Sequence, residues 1–312
     1  YGIYDITKDS IRVYTQRIGE PKKQWAGFSL TESYYERNGK AEKYPDFSVN
    51  KEYPQVKEQW ITKTGVGIYC SPAVEKDKVF IGDDMGYLTA YALKDGKALW
   101  RFQSGKRIGG TPAVSEGIVV FGSADCKIYG LNAQNGNLLW TVETSEPVLG
   151  AVTIDNGTAY IGASDHTFIS DPLRAMTAIE FDSGNTVWRT FQSMVRETIG
   201  LSEDGERIYS KTMNDSIVCY STKGSHPHEL WASNVGFGYE HAPSMQVEKD
   251  GIVFGSTKEG LIFALEAKTG KVLWKHKIGN SLISTVVPLS GNRILFTATG
   301  GEAGLLKFKI KK

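Results

Sequence analysis

Cysteine is scarce in this sequence. Its three residues, Cys70, Cys126 and Cys219, lie far apart and form no CxxC pair. An odd count at such spacing argues against a disulfide framework and a metal knuckle, and reads as isolated thiols packed in strands. Charge of one sign is also lacking, since 36 Lys and Arg face 35 Asp and Glu. That balance gives no electrostatic basis for binding nucleic acid or an anionic membrane. No apolar run approaches the roughly 18–20 residues that span a bilayer. Catalytic signatures are missing as well: there is no Gly-rich phosphate loop and no G-x-S-x-G elbow. The chain starts on Tyr1 without a leader-like segment, which reads as a processed protein or a piece cut from a longer one.

What the sequence does contain is a repeat. Trp60, Trp100, Trp140, Trp188, Trp231 and Trp274 are separated by 40, 40, 48, 43 and 43 residues. Intervals of about 40–50 residues are those of four-stranded propeller blades. The units starting at Ser71, Thr111 and Ala242 align, each with four apolar segments divided by turn residues. A first strand (PAV) is followed by a second (VFIG, VVFG, IVFG), a third (LTAYAL, KIYGLN, LIFALE) and a fourth opening on Trp. Between third and fourth lies a polar turn with Gly, "KDGK", "QNGN" or "KTGK", where Gly supplies the positive φ of a short hairpin. Strands apolar on both faces fit sheets sandwiched between neighbours. At this repeat position the tryptophans read as scaffold packed between blades.

Two units diverge. In the unit Ala151–Phe191 the turn between second and third strands swells to "SDHTFISDPLRAM", and in Thr198–Ala232 the third turn becomes "TKGSHPHE". The last unit, "TVVPLSGNRILFTATGGEAGLLKFKIKK", stops after a third strand, whereas "VKEQWITKTG" (Val56–Gly65) is a Trp-bearing fourth strand without its own three. Joining them predicts an all-β, six-bladed propeller over residues 55–312, whose last blade is closed by an N-terminal strand, leaving no open edge. Residues 1–54 read as a hairpin, with strands around Gly2–Asp5 and Ile11–Gln16, and a linker. Counting Trp25 as a further repeat tryptophan gives seven blades as the alternative, but a full first strand before it is missing.

These units resemble the PQQ-like (pyrrolo-quinoline quinone) repeat, a strand followed by V-Y-x-G-[ST]-x-D-G and L-[YF]-A-L-[DN]-x-x-T-G-x-x-L-W. The match is close in Val253–Trp274 ("VFGSTKEGLIFALEAKTGKVLW") and good in Val79–Trp100 and Val119–Trp140; it covers about residues 56–310. The resemblance implies a propeller and, through the family, a periplasmic or cell-surface home. It does not imply a function, because quinoprotein dehydrogenases and outer-membrane assembly lipoproteins share the repeat. Redox chemistry on PQQ is not expected: family members with alcohol activity use eight blades and a vicinal cysteine pair, and this chain has neither. No cofactor is expected. "GIYDITKDSIRVYTQRIGEP" also resembles the final strands of secreted calcineurin-like metallophosphoesterases, some of which carry a C-terminal PQQ-like propeller. This second resemblance implies, as an alternative reading, that the chain is the C-terminal accessory module of such an enzyme. The DxH, GDxxD, GNH and GHxH sequences that hold two metal ions there are absent from the chain, so no catalytic residue is assigned.

The copies disagree most on the face carrying the blade-to-blade connections and the second-to-third-strand turns. Loops on a rigid scaffold are where binding sits. The candidate binding residues are therefore Tyr69, Arg107, Arg196, Glu197, Tyr239, Glu240 and His241 on the connections. Asp165, His166, Asp171 and Arg174 on the swollen turn join them. The expected reading is a non-catalytic module for a protein, peptide or glycan. An enzyme built on the channel is the alternative, and an ion held by Glu197, Glu240 and His241 would favour it. Otherwise Arg196, Glu197, Glu240 and His241 pair with one another. His226 and His228 read as an exposed loop pair, two ligands being too few for a metal site.

Overall fold

A computed structural model of the chain describes residues 2–30, 45–144, 147–155, 157–163, 175–190, 200–211, 214–223, 228–239 and 244–310. The chain divides into two compact units, Tyr1–Asp46 and Phe47–Lys312. Among the described residues no helix is long and apolar enough to cross a membrane.

In the first unit, strands Gly2–Ile6, Ser10–Thr15 and Lys23–Ser29 form an antiparallel three-stranded sheet. The expected hairpin thus gains a third strand. Trp25 falls at a register shift in that strand and is 75% exposed, whereas Trp60, Trp100, Trp140, Trp231 and Trp274 are buried or half-buried. Strand alternation puts Tyr4, Ile6, Ile11, Val13 and Phe28 on one face, as the cross-strand pairs Tyr4↔Val13, Ile6↔Ile11 and Ile11↔Phe28 require.

In the second unit, the described strands form six four-stranded antiparallel sheets. Sheet I comprises Ala73–Glu75, Lys78–Gly82, Tyr87–Ala92 and Ala98–Gln103. Sheet II comprises Ala113–Ser115, Ile118–Ser123, Lys127–Asn132 and Leu138–Glu143. Sheet III runs from Val152–Asp155 to Thr186–Thr190, sheet IV from Gly200–Leu201 to His228–Tyr239, and sheet V from Val247–Lys249 to Val272–Lys277. Sheet VI is made from both ends of the unit: Val287–Leu289, Arg293–Thr297 and Glu302–Lys307 are completed by Lys57–Lys63. The register Gly304↔Ile61 and Leu305↔Trp60 is the pairing that the orphan Trp strand predicted.

Sheets I, II, V and VI are buried on both faces because successive side chains point to different neighbours. Val79 and Ile81 of sheet I pack with Leu295 and Leu305 of sheet VI, whereas Phe80 between them packs with Val119 and Phe121 of sheet II. Val120, between those two, turns to Ala159 and Ile161 of sheet III. In sheet V, Val253, Phe263 and Leu265 face sheet IV, and Phe254, Ile262 and Ala264 face sheet VI. Full burial of a Val, Leu, Ile or Phe side chain contributes about 1.5–3 kcal/mol, so each sheet depends on its neighbours rather than on a core of its own.

A second device fixes the spacing between sheets. The indole of Trp60 in sheet VI donates to Leu93 O of sheet I (2.9 Å), Trp100 of sheet I to Ala133 O of sheet II (3.2 Å), and Trp231 of sheet IV to Ala267 O of sheet V (2.9 Å). The same rings lie flat against the glycine of the next sheet's third turn. A Cβ on Gly96 would sit 2.5 Å from the Trp60 ring, one on Gly136 2.6 Å from Trp100, and one on Gly270 2.4 Å from Trp231. Those glycines have positive φ, as the hairpin reading required, and they also vacate the space that the tryptophan fills. Trp274 has no such glycine to meet, because sheet VI lacks a third turn. Its ring packs on Phe308 instead, at 5.3 Å between centroids.

The residue before Trp100, Trp140, Trp188 and Trp231 is exposed, whereas Leu273 before Trp274 packs against the core. Trp100 pairs with Ala90 and Ala98 with Tyr91, which leaves Leu99 as the extra residue of a bulge. Leu139, Val187, Leu230 and Leu273 occupy the same position. Leu99 is 48% exposed on the outer edge strand. Bulges of this kind break the regular edge that another strand would otherwise extend.

The segment before sheet VI's last strand is also structured. Helix Ser48–Glu52 lies against the outer strand of sheet V, so the second unit begins earlier than the expected boundary at residue 55. Asn50 Nδ2 donates to Lys277 O (2.8 Å) and its Oδ1 accepts from Lys277 N (2.6 Å). One side-chain amide thus stands in for a neighbouring strand at that edge.

Two predictions follow from this packing. Gly136→Ala and Gly270→Ala each combine a left-handed backbone with a methyl driven into an indole, and should lose about 2–5 kcal/mol. Gly117→Ala shares the positive φ but meets nothing within 4 Å, so it should lose only about 1–2 kcal/mol. Urea unfolding midpoints separate the two cases. Burial pushes the Cys70 thiol up to about 12 and that of Cys219 up to about 11. The thiolate is the reactive form. Iodoacetamide at pH 8 should therefore label only half-buried Cys126 in the native protein, and all three cysteines after unfolding, as read by peptide mass spectrometry.

Candidate functional site

The connections between sheets are held by a repeated pattern of short side chains. Where the second strand of a sheet ends, a hydroxyl reaches a connection carbonyl: Ser123 Oγ donates to Lys106 O (2.9 Å), Ser256 Oγ lies 3.1 Å from Ile283 O and 3.0 Å from Ser284 O, and Thr297 Oγ1 donates to Cys70 O (2.5 Å). One sheet's entry also binds the next, since Ser71 N donates to Thr111 Oγ1 (3.0 Å) and Met245 N to Thr285 Oγ1 (2.9 Å). These hydroxyls sit in the interior and satisfy backbone that a connection would otherwise leave unpaired. The first strands of sheets I, II and III are successive neighbours, as are those of IV, V and VI. Within each of these groups the described connections therefore lie at neighbouring strand entries.

On that fixed backbone the exposed groups differ from copy to copy. Tyr69 projects at 55% exposure, while its own carbonyl accepts from Ser284 Oγ at 3.2 Å. At the positions equivalent to Tyr69, the following copies carry Gly109 and Leu149. Arg107, half-buried, places Nη1 3.6 Å from Asp84 Oδ1, and its carbonyl accepts from Ala124 N (2.9 Å). Asp84 N in turn donates to Gly67 O (3.0 Å), and Gly67 is flanked by both the Tyr69 ring and the Asp84 side chain. Of the candidate residues, Tyr69 and Arg107 are thereby brought to one patch through Asp84. Met85, in the same turn, is 62% exposed.

That turn is charged and shaped by its own first residue. Asp83 Oδ1 accepts from Met85 N (3.0 Å) and Tyr87 N (2.9 Å), which shapes the turn, and its Oδ2 lies 3.5 Å from Arg101 Nη2. The Arg101 guanidinium sits 3.4 Å over the Tyr87 ring, a cation–π contact. In sheet II the corresponding turn uses Asp125, whose Oδ2 accepts from Gly105 N (2.7 Å) and Tyr129 OH (2.6 Å). Burial and that carboxylate raise the Tyr129 phenol above its ordinary value, keeping it a neutral donor. Asp83, Asp84 and Arg101 were not singled out in the sequence, because they occupy ordinary repeat-turn and outer-strand positions. The available signal was the difference between copies, Arg101 standing where sheet II has Thr141.

Tyr239 ends the twelve-residue strand His228–Tyr239, pairing with Asn214, and only its backbone is described. His228 begins that strand. Asp165, His166, Asp171, Arg174, Arg196, Glu197, His226, Glu240 and His241 lie outside the described residues. Among the described residues no group of three or more His, Cys, Asp or Glu side chains converges to hold a metal ion.

Residues 214–312 match the family profile described as outer membrane protein assembly factor BamB. No curated protein matches the chain. Two solved structures share its fold. BamB from Moraxella catarrhalis is 14% identical, with a TM-score of 0.53 over 81% of this chain and 87% of that one. The quinohemoprotein alcohol dehydrogenase ADHIIG from Pseudomonas putida HK5 is 12% identical, with a TM-score of 0.57 over 86% of this chain and 79% of that one. Repeat spacing, sheet topology and these likenesses agree on one architecture: the chain carries a β-propeller built of PQQ-like repeats.

Proposed function

We propose that residues 47–312 form a closed six-bladed propeller that acts as a non-catalytic docking module for a protein partner outside the cytoplasm. One observation carries this reading. The connection face presents Tyr69, Met85 and the Asp84–Arg107 pair on backbone that is immobilised by buried hydroxyls. Tyr, Met and Arg are enriched at protein interfaces, and a pre-fixed surface loses little freedom on binding. The likeness of the C-terminal third to an outer membrane protein assembly factor supports both a protein partner and an extracytoplasmic location. Asp165, His166, Arg174, Arg196, Glu197, Tyr239, Glu240 and His241 extend the same face in this reading.

A second reading concerns residues 1–30. Their sheet has one face of Tyr4, Ile6, Ile11, Val13 and Phe28, with Tyr4 and Ile6 well exposed. Phe28 is exposed as well, while Val13 is buried, and a sheet of three strands with exposed apolar residues is marginal alone. This supports the resemblance to the closing strands of a calcineurin-like phosphoesterase domain that this face would cover. Reading the gene upstream of Tyr1 tests it, and the absence there of the GDxxD and GNH sequences would remove it.

The docking reading is tested by replacing Tyr69 with a photo-cross-linking phenylalanine in cells. A discrete protein adduct is expected at Tyr69, weakened when Asp84→Ala breaks the ion pair with Arg107. The same probe at Glu116, in a first-to-second-strand turn, should give none. Equal adducts at both positions, or one at Glu116 alone, would overturn the assignment of the face.

A further inference from the structure

Among the described residues, comparing equivalent positions in sheets I and V shows a charge that is ion-paired in one and not in the other. The residue after the repeat tryptophan is cationic in both, Arg101 in sheet I and Lys275 in sheet V. The residue opening the second-to-third-strand turn is Asp83 in sheet I and Thr257 in sheet V. Both cap the turn alike: Thr257 Oγ1 accepts from Glu259 N (3.3 Å) and Leu261 N (3.1 Å), as Asp83 Oδ1 does from Met85 N and Tyr87 N. Asp83 has a second oxygen left for Arg101, whereas Thr257 offers Lys275 no carboxylate. Lys275 Nζ donates instead to Val235 O at 2.5 Å, using one of its three protons.

A pocket of about 300 Å³ opens at that ammonium. Its apolar wall is Val49, Val235 and Leu261, and its charged groups are Lys275, Lys277 and Glu259. Lys277 is already engaged, its Nζ donating to Glu259 O. Gly236, at φ 71°, keeps the approach to Lys275 clear, since a Cβ there would lie 3.7 Å from Nζ. The volume is at the lower end for ligand sites, large enough for one or two residues of a peptide.

We propose that this pocket receives the acidic side chain, Glu or Asp, of a partner protein segment. The incoming carboxylate takes the place at Lys275 that Asp83 takes at Arg101. Aliphatic atoms behind it lie on Val235 and Leu261, and the Glu259 carboxylate is left for a backbone N–H of the same segment. The inference rests on the reading of this unit as a protein-docking module, and adds a second contact point beside sheet V.

The test is a methyl-labelled NMR titration of the whole chain, following Val235 and Leu261, with N-acetyl-glutamate α-methylamide as probe and its glutamine analogue as neutral control. Saturable shifts are expected with the glutamate probe, and affinity for the glutamine probe roughly tenfold weaker or less, the worth of one modest charge pair. Lys275→Met should abolish the difference. Thr257→Asp should do so too while leaving the lysine in place, and sheet I shows that this turn accommodates Asp. Equal affinity for the two probes, or full glutamate binding by Thr257→Asp, would overturn the proposal. Tighter binding of N-acetyl-alanine would overturn it in favour of a terminal carboxylate. None of these outcomes bears on the Tyr69 cross-link, so the pocket and the docking face fail separately.

Discussion

The structure of the second unit depends on an indole lying against a glycine that belongs to the next sheet. Trp60, Trp100 and Trp231 each bridge one sheet to its successor, with the ring on the turn glycine and the N–H on a carbonyl at the end of the third strand. The contact sets separation and register together, because a ring has a fixed thickness and an N–H a fixed direction. With the spacing fixed, the alternating side chains of neighbouring sheets interlock, and the buried hydroxyls can reach connection carbonyls. In sheet V, where no such glycine follows, Trp274 keeps its burial and rests on Phe308.

Much of this was legible in the residues. The spacing of the tryptophans marked the repeat, and the incomplete units at the two ends marked which strands join. Both signals survive divergence because they report constraints repeated in every copy. Single-copy features were not legible. Leu99 reads as core by hydropathy, yet the bulge before Trp100 turns it outward, and a bulge is a matter of register rather than composition. Asn50 looks like any polar linker residue, and only the tertiary placement of its helix gives its amide the role of a strand edge. The strand at Lys23–Ser29 carries a tryptophan that mimics the repeat without a sheet behind it to bury the ring.

The candidate site was legible in location more than in membership. Disagreement between copies pointed to the connection face, and Tyr69 and Arg107 stand there together. The carboxylate joining them, Asp84, sits in a turn whose average character is structural. Turn residues do two jobs in this fold: one oxygen shapes the backbone while another is left over for chemistry. Asp83 and Thr257 illustrate the difference, since either can shape the turn but only one has an atom to spare.

Sheet VI has a consequence for the order of events in the cell. Its fourth strand, Lys57–Lys63, leaves the ribosome before any other strand of the second unit, yet its partner, Glu302–Lys307, is the last strand of that unit to follow. Sheets I to V can assemble as they emerge, each on the one before. The early strand must wait through the synthesis of roughly 240 residues with its edge unpaired, so this sheet closes only after every other strand of the unit has been made.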